Sequence, residues 1–323
     1  MKDKRIVFMG TPDFAVESLK ALVESGYNVV GVVTVPDKPA GRGQKLSSSA
    51  VKKYAETLNV PILQPVKMRD PQFLQELEDL EADLQIVVAF RILPEVVWSM
   101  PPLGTFNLHG SLLPQYRGAA PINWAIINGE KKTGVTTFFL DKDIDTGNVI
   151  FFEEVTIEDT DCAGTLHDKL MTVGSKLVCK TVEQIFSGKV NAVAQEKIIA
   201  QTDAKLNDAP KIFKDDCRIL WDNNLDTVYD FIRGLSPYPA AWTEMISDEL
   251  GKCVSVKIFE TEIISQPHTN PVGTIVTDGK DYMHIAAHNG FLNILSIQPS
   301  GKKRMEVKDF LRGFRDLYLY RCR

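Results

Sequence analysis

Two side chains that can act on a carbonyl oxygen lie two residues apart, just before a turn. Asn107 and His109 follow an apolar, strand-like run and precede a segment rich in small residues and proline. At positions i and i+2 near the end of a strand, two side chains point to the same face. An asparagine amide can donate a hydrogen bond to a developing oxyanion, and an imidazole can exchange a proton at neutral pH. The pair is therefore suited to a reaction that passes through an oxyanion.

A carboxylate that could orient the imidazole is available further along the chain. Asp141, Asp143 and Asp145 lie on a loop between two apolar segments that are typical of strands. The alternative interpretation is a turn of solvated aspartates, together with a histidine whose hydrogen bonds are satisfied in the core. For each of these residues taken alone, that alternative is the stronger one.

The first half of the chain alternates segments typical of strands and of helices. Apolar runs predict strands at 5–10, 28–35 and 83–90. Apolar stripes at helical spacing predict helices at 15–26, 47–60 and 71–82. This order is typical of an α/β fold with a Rossmann-like, doubly wound, mostly parallel sheet. Ligands bind such sheets at the carboxyl ends of the strands, near the topological switch point. Since 104–110 resembles one more strand, Asn107 and His109 are predicted to lie at that edge.

The second half of the chain has a different pattern. The segment 189–208 is polar with weak periodicity, as a linker is, and 223–235 has the pattern of a helix. Short strands with turn signals are predicted at 254–264, 273–279, 282–290 and 291–301. Regularly spaced short strands favour a smaller antiparallel β-barrel of the OB-like kind. We therefore predict a catalytic domain at 1–188, a linker at 189–208 and a C-terminal barrel domain at 209–323.

The composition limits the class of protein. The 323 residues are 44% apolar and 24% charged, the balance of a folded protein with two domains. No apolar run approaches the ~20 residues of a membrane-spanning helix, and the apolar segment near the N-terminus is shorter than the core of a signal peptide. The five cysteines are scattered without a CxxC pair, which argues against disulfides and against a zinc site. We expect a cytoplasmic protein that binds no metal and no membrane.

Charge is distributed unevenly along the chain. The net charge is −5, yet the segment from Lys302 to Arg323 holds eight basic and three acidic residues. Such asymmetry can mark a local phosphate-binding surface on an acidic protein. A solvated helix face explains the same charges equally well.

The glycine-containing turns do not match the known phosphate loops. The first strand-to-helix turn, MGTPDF (9–14), lacks the GxGxxG spacing, and AGRGQK (40–45) lacks the Gly-Lys-Ser/Thr ending of a P-loop. Functions that depend on a nicotinamide or on ATP are therefore disfavoured.

Two longer strings carry a family resemblance. GTFNLHGSLLPQYRGAAPINWAI (104–126) and DKDIDTGNVI (141–150) closely resemble the folate-dependent formyltransferases, which share Asn-x-His at a strand end, a Ser-Leu-Leu-Pro turn and Asp-x-Gly in a later loop. The blocks VFMGTPDFAV (7–16) and FIRGLSPYPAAWT (231–243) extend the resemblance, in both halves, to the branch that acts on aminoacylated transfer RNA. The resemblance implies transfer of the formyl group of 10-formyltetrahydrofolate to the α-amine of methionyl initiator transfer RNA, in translation initiation.

The resemblance also assigns roles to the three polar residues. Asn107 is expected to hydrogen-bond the formyl oxygen, and His109 to support that oxygen or the leaving N10 of the folate. Asp145 is expected to orient and charge His109, and to help deprotonate the attacking amine through water. The physical reason holds without the family, since an oxyanion needs preorganised donors and the removal of one such donor typically costs ~10²–10³ in rate.

The residues expected to line the folate site come from the same resemblance. They are Arg91, Ile92, Leu93, Ser111, Leu112, Leu113, Pro114 and Leu140. Arg91 is a departure, because many relatives that act on transfer RNA have glycine at that place, and FRIL (90–93) looks more like the branch that acts on glycinamide ribonucleotide. No metal is expected.

The residues expected to bind transfer RNA lie in two basic segments. Lys38, Arg42 and Lys45 lie in the insertion 36–46, which in the family wedges into the acceptor end of the RNA, and Arg42 matches the family's key arginine. Lys302, Lys303 and Arg304 provide phosphate partners on the barrel, a fold that often binds nucleic acid. The alternative for the insertion is an ordinary flexible surface loop.

Three other functions remain open at this point. A hydrolase of formylfolate could use the same three polar residues, and so could a formyltransferase that acts on a nucleotide-linked amino sugar. An RNA-binding protein with an inactive catalytic domain is the third, although the intact Asn107, His109 and Asp145 speak against it. Since no long heptad seam is present, we expect a monomer.

Overall fold

The computed structural model describes residues 2–40, 45–201 and 204–323, with the side chains of Ala40 and Lys45 left out. The chain divides into two compact units. The first comprises the residues up to Gly118, Lys132–Thr156 and His167–Ala209, and the second comprises Ala119–Lys131, Ile157–Leu166 and Pro210–Arg323.

The first unit is built on one large sheet and two small ones. Its strands are β1 (Arg5–Gly10), β2 (Asn28–Val33), β3 (Lys38–Ala40), β4 (Lys45–Ser47), β5 (Ile62–Leu63), β6 (Leu84–Val88), β7 (Thr105–His109), β8 (Arg117–Gly118), β9 (Lys132–Phe139), β10 (Val149–Thr156) and β11 (Asp208–Ala209). The large sheet has the order β10-β9-β7-β6-β1-β2-β5. Five of these strands are parallel, and β9 and β10 are added antiparallel at one edge.

The central strands form because their apolar side chains are covered on both faces. Residues 6–9 of β1 and 84–88 of β6 are almost entirely buried, which is the pattern of strands with helices packed on both sides. The chain leaves β1 for β2 and later returns to β6 on the other side of β1. The topological switch point therefore lies between β1 and β6, and β7 ends at the same edge of the sheet.

Helices complete the first unit. They are α1 (Asp13–Glu24), α2 (Ala50–Ala55), α3 (Pro71–Glu78), α4 (Glu95–Trp98), α7 (Gln195–Ile199) and, from His167 onward, α6 (Ala163–Phe186). Ser49 caps α2 by accepting a hydrogen bond from the Lys52 N–H at 3.0 Å, and Asp70 caps α3 by accepting one from the Gln72 N–H at 2.9 Å. These caps explain why both helices begin where they do.

The second unit is an antiparallel barrel with helices packed on it. Its strands are β12 (Ala241–Ser247), β13 (Lys252–Ile264), β14 (Ile275–Thr277), β15 (Met283–Ala287), β16 (Gly290–Pro299), β17 (Met305–Glu306) and β18 (Arg321–Cys322). They follow the order β14-β15-β16-β13-β12-β18, with β17 paired to β16. A bridge between Thr274 and Arg321 joins the two edges, so the barrel is nearly closed.

The helices of the second unit are α5 (Pro121–Ile127), α8 (Leu225–Leu235) and α9 (Val307–Gly313), together with short 3-10 turns at Asp215–Cys217 and Leu317–Leu319. Asn123 of α5 donates its side-chain amide to the Gly234 carbonyl of α8 at 2.7 Å. A side chain at Gly234 would lie 2.7 Å from Ile127. The close approach of α5 and α8 therefore depends on this glycine.

The fold class predicted from the sequence is confirmed. The first unit is a Rossmann-like sheet with mostly parallel strands, and the second is a smaller antiparallel barrel. None of the helices in the described part of the chain is both long and apolar enough to cross a membrane.

Candidate active site

Asn107 and His109 lie at the carboxyl end of β7, on the inner part of the large sheet. Strand β7 pairs in parallel with β6 and antiparallel with β9, and Asn107 and His109 are opposite Phe138 and Thr136 of β9. His109 is 6% exposed, while Asn107 is half-buried. Two residues apart on one strand, the two side chains share a face, as the sequence predicts.

The hydrogen bonds of His109 determine its tautomer. Its Nε2 lies 2.8 Å from the carbonyl oxygen of Tyr116, and a carbonyl can only accept, so Nε2 carries a proton. In the neutral ring, Nδ1 then holds the lone pair. Because Nδ1 faces the Asp145 carboxylate, a second proton on the ring would point at a negative charge. Nε2 is therefore occupied by the Tyr116 carbonyl, and Nδ1 is the ring nitrogen that faces the carboxylate.

Asp145 is brought to His109 by the loop between β9 and β10. Its Oδ2 lies 3.9 Å from His109 Nδ1, which is within reach of an ion pair but too long for a hydrogen bond. The same oxygen accepts the backbone N–H of Gly118 at 3.0 Å. Asp145 has a φ of +56°, in the left-handed region, so its position depends on the backbone around it.

The segment 115–118 closes the site on the other side of His109. Tyr116, whose carbonyl meets His109, has a φ of +59° and donates its backbone N–H to the Asn207 carbonyl at 2.7 Å. Asn207 in turn donates its backbone N–H to the Gln115 side chain at 2.9 Å. Strand β8 also pairs with β11 just after Asn207. The end of the first unit therefore holds the carbonyl that sets the tautomer of His109.

The oxygen of the Asn107 amide is buried, although the residue as a whole is half-buried. Its Oδ1 has no hydrogen-bond partner among the described residues. Such an atom is costly to bury, and active sites are where it is retained. Because the oxygen and nitrogen of an amide exchange places by rotation, the same site can present the NH₂ donor. Asn107 is thus free to donate to a substrate oxygen.

The turn after β7 is held by internal hydrogen bonds. The Thr136 hydroxyl donates to the Ser111 carbonyl at 2.7 Å and accepts the Leu113 N–H at 3.1 Å. Ser111 is fully buried, and its hydroxyl donates to the Gln115 carbonyl at 2.5 Å. Leu113 and Pro114 are buried and Leu112 is partly buried. Ser111 therefore shapes the turn through bonds within the protein.

A cavity of about 640 Å³ lies beside two of the residues predicted to bind folate. Ile92 and Leu93 line it together with the apolar Met68, Pro94 and Trp98 and the charged Lys67, Arg69, Glu95 and Lys142. Leu140 packs against the buried cluster that contains Leu93 and against the one that contains Leu113. Leu140 thus contacts both clusters, the one with Leu93 and the one with Leu113. Lys67, Arg69, Trp98 and Lys142 were not singled out from the sequence.

Arg91 contacts its own chain rather than lining this cavity. Its guanidinium donates to the carbonyls of Pro65 and of Val66, the latter at 3.1 Å, and lies 5.5 Å from the centre of the Phe90 ring. Burial lowers the pKa of Arg91 from its usual value. The Arg91 side chain therefore ties the segment 90–93 to the segment 65–66.

The residues predicted to bind transfer RNA have different surroundings. Lys38 begins β3, opposite Ser47 of β4, whereas Arg42 and the side chain of Lys45 lie outside the described residues. Lys302 and Lys303 are exposed in the turn before β17. Arg304 donates to Ser296 Oγ at 2.7 Å, pairs with Glu260 and lies 4.5 Å from the centre of the Phe259 ring.

Several residues of the site gave no signal in the sequence that pointed to this role. They are Tyr116, Gly118, Thr136 and Gln195. Tyr116 and Gly118 lie in the string 104–126 that carries the family resemblance. They contact the site through their backbone groups, since the Tyr116 carbonyl meets His109 and the Gly118 N–H meets Asp145. Gln195 lies in the segment that its polar pattern predicts to be a linker, yet it is completely buried.

Comparison with known proteins assigns both parts of the chain. Residues 4–182 match the formyl transferase family, and residues 211–315 match the formyl transferase C-terminal domain. The methionyl-tRNA formyltransferase of Bacteroides thetaiotaomicron is 60% identical, over 97% of this chain and 97% of the relative. That of Flavobacterium johnsoniae is 52% identical, again over 97% of each chain.

The likeness among solved structures is one of fold. The N-formyltransferase of Helicobacter canadensis, determined with folinic acid and dTDP-3-aminofucose, superimposes with a TM-score of 0.64. It covers 94% of this chain and all of its own length, at 19% sequence identity. At that identity the match shows the shared architecture alone.

Proposed function

The chain belongs to the formyl transferase family, and we propose that it transfers the formyl group of 10-formyltetrahydrofolate to the α-amine of methionyl initiator transfer RNA. The observation that carries this proposal is the 60% identity with a methionyl-tRNA formyltransferase over 97% of both chains, which takes in both matched domains. The reaction prepares the initiator for translation.

The catalytic roles fall on Asn107, His109 and Asp145. The Asn107 amide donates to the formyl oxygen as negative charge develops there, because preorganised donors are the strongest means of stabilising such charge. Its buried oxygen, which has no hydrogen-bond partner in the described part of the chain, supports a group reserved for substrate. The folate co-substrate supplies the formyl group as an activated formamide.

His109 and Asp145 manage the proton. The attacking amine must be neutral, and an α-amine has an unperturbed pKa of roughly 7.7–8.0. Asp145 accepts its proton through water, and His109, protonated at Nδ1, supports the oxyanion or donates to N10; when His109 has donated, the proton held by Asp145 passes to Nδ1 and restores both groups. A bond from the amine nitrogen to the formyl carbon forms, the bond from N10 to that carbon breaks, and N10 ends with the proton that the amine has lost.

The folate is proposed to bind in the region of Ile92, Leu93, Leu113, Pro114 and Leu140. The cavity beside Ile92 and Leu93 supports this assignment, because an apolar wall suits a flat ring and nearby cations suit the carboxylates of its glutamate tail. Arg91, Ser111 and Leu112 are proposed to lie along the same site, where the hydrogen bonds of Arg91 and Ser111 also shape the two segments that line it.

Transfer RNA is proposed to contact the basic residues of both units. Arg42 with Lys38 and Lys45, in the insertion between β2 and α2, would meet the acceptor end, and Lys302 and Lys303 would meet phosphates. Arg304 is proposed to meet the RNA as well, and its hydrogen bond to Ser296 and ion pair with Glu260 support the same turn. Phosphate contacts give affinity that falls steeply with salt.

Further features stay as proposals with this function. We propose that the enzyme works as a monomer in the cytoplasm and needs no metal. We also retain the division into a catalytic domain at 1–188, a linker at 189–208 and a barrel domain that binds transfer RNA at 209–323.

Formyl transfer to competing acceptors tests the proposal. Radiolabelled 10-formyltetrahydrofolate is offered to methionyl initiator transfer RNA, methionyl elongator transfer RNA, glycinamide ribonucleotide and an amino sugar linked to dTDP. We expect label on the initiator RNA alone. Label on the amino sugar instead would make the protein a sugar formyltransferase, and release of free formate with no labelled acceptor would make it a hydrolase.

A further inference from the structure

Gln195 is a buried amide that joins two segments of the candidate active site. It is the first residue of α7 and has no exposed surface. Burying an amide is unfavourable unless its donors and its acceptor are hydrogen-bonded. The groups that satisfy Gln195 therefore show what the protein uses it for.

The bonds of Gln195 admit one orientation of the amide. Its Oε1 accepts Nε and Nη2 of Arg117 at 3.0 and 2.6 Å. Its Nε2 donates to the backbone carbonyls of Asp145 and Gly147, each at 2.9 Å. A guanidinium can only donate and a carbonyl can only accept, so the reversed amide would lose all four bonds.

These four hydrogen bonds hold the two segments that meet at the contact between Gly118 and Asp145. One side of Gln195 holds Arg117, the residue before Gly118, and the other holds the backbone of Asp145 itself. The Asp145 carboxylate is 3.9 Å from His109 Nδ1, too far for a hydrogen bond from the imidazole to fix it. Its position therefore depends on its backbone and on the Gly118 N–H.

We propose that Gln195 is a positioning residue for the formyl transfer, which holds the Asp145 loop against Arg117–Gly118 and so sets the distance from the Asp145 carboxylate to His109. This inference rests on the proposed role of Asp145. A misplacement of about 1 Å near the chemistry can cost ~100-fold in rate. Because Gln195 is fully buried and out of reach of both substrates, we expect its loss to lower kcat and to leave KM for both substrates unchanged.

Two variants separate the two sides of the amide. Gln195→Met removes all four bonds at nearly constant volume. Gln195→Glu keeps an acceptor for Arg117 but loses the donor to the carbonyls of Asp145 and Gly147. We expect both to lower the single-turnover rate of transfer by about 10- to 100-fold. Glu196→Gln, at the exposed next position of α7, is the matched control and should retain the full rate.

A double-mutant cycle with Asp145→Asn distinguishes positioning from general support of the fold. If Gln195 acts through Asp145, adding Gln195→Glu to Asp145→Asn lowers the rate by less than about 2-fold more. Losses that multiply in full, a wild-type rate in Gln195→Glu, or a change in KM alone would each overturn the inference.

The formyl-transfer activity of the wild-type protein distinguishes a failure of the proposed function from a failure of the role proposed for Gln195. A wild-type protein that labels no methionyl transfer RNA contradicts the proposed function itself. A wild-type protein that transfers the formyl group normally, with multiplying losses in the cycle, contradicts the role of Gln195 alone.

Discussion

Oδ2 of Asp145 accepts the backbone N–H of Gly118 at 3.0 Å, and this same oxygen faces His109. Gly118 has a φ of +124°, and a side chain there would lie 2.4 Å from the carbonyl oxygen of Ala209. The donor that fixes the carboxylate can thus be offered only by a glycine.

Gly118→Ala is expected to reduce kcat by about 100-fold, because the added methyl group displaces the Gly118 N–H from Asp145. Steady-state kinetics and thermal unfolding measure the effect. Gly188→Ala is the control, because Gly188 also has a positive φ, of +68°, but has nothing within 4 Å of an added side chain. A wild-type kcat in Gly118→Ala would show that the bond to Asp145 is dispensable.

Asn107→Ala is expected to lower kcat by ~10²–10³ while binding of transfer RNA persists. It should cost little stability, because the Asn107 oxygen makes no hydrogen bond within the described protein. Thr136→Val is the contrast, since it removes two hydrogen bonds that hold the turn after β7 and should lower Tm. A normal kcat with a lower Tm in Asn107→Ala would assign this residue to the fold.

The paired change Lys67→Ala with Arg69→Ala is expected to raise KM for 10-formyltetrahydrofolate about 10-fold, with kcat unchanged, because two cations leave the wall of the cavity. The effect should shrink in high salt, as it does for exposed charges. Lys53→Ala, on the exposed face of α2, serves as the control. An unchanged KM would place the folate tail elsewhere.

Lys302→Ala with Lys303→Ala is expected to weaken transfer-RNA binding and to reduce the slope of log K against log salt by about 1 for each phosphate that the protein no longer neutralises. Arg304→Ala should also affect stability, because this arginine forms a hydrogen bond with Ser296 and an ion pair with Glu260 and lies over the Phe259 ring. It should lower the free energy of unfolding by ~1 kcal/mol. A salt slope that neither change alters would remove this turn from the RNA surface.

Arg42→Ala is expected to impair transfer to methionyl initiator transfer RNA far more than binding of the folate. The physical reason is that an arginine can pair with two phosphate or base acceptors at once. Formylation kinetics with each substrate varied in turn provide the measurement. Equal losses for both substrates would contradict the assignment of the insertion 36–46 to RNA.

The sheet could be predicted from the sequence because each strand carries its own signal. Residues 6–9 of β1 are apolar and fully buried, and an apolar run bounded by a turn is a local pattern. Asn107 and His109 could be placed at the edge of that sheet for the same reason, since a strand end is read from its neighbours in sequence. Helix ends were less well predicted: the helix predicted at 47–60 spans only Ala50–Ala55.

The supports of the site could not be predicted, because their partners are distant in sequence. Gln195 is polar and lies among polar residues, yet its partner Arg117 is 78 positions away and Asp145 is 50 positions away. Arginine is a residue type that often binds anions, but the long side chain of Arg91 instead reaches the backbone carbonyls of Pro65 and Val66. Only tertiary structure reveals which of a side chain's possible partners it meets.

The pairing of β8 with β11 also has a consequence for biosynthesis. Asn207 and Gln115 are 92 positions apart. Strand β7 and the segment 115–118, whose Tyr116 carbonyl meets His109, therefore leave the ribosome long before Asn207, which holds that segment in place. A nascent chain that ends at residue 188 has all three side chains proposed to be catalytic but has neither Gln195 nor β11. We therefore expect such a chain to acquire folate-binding surface before it acquires the capacity for turnover, and catalysis to begin only after residue 209 has emerged.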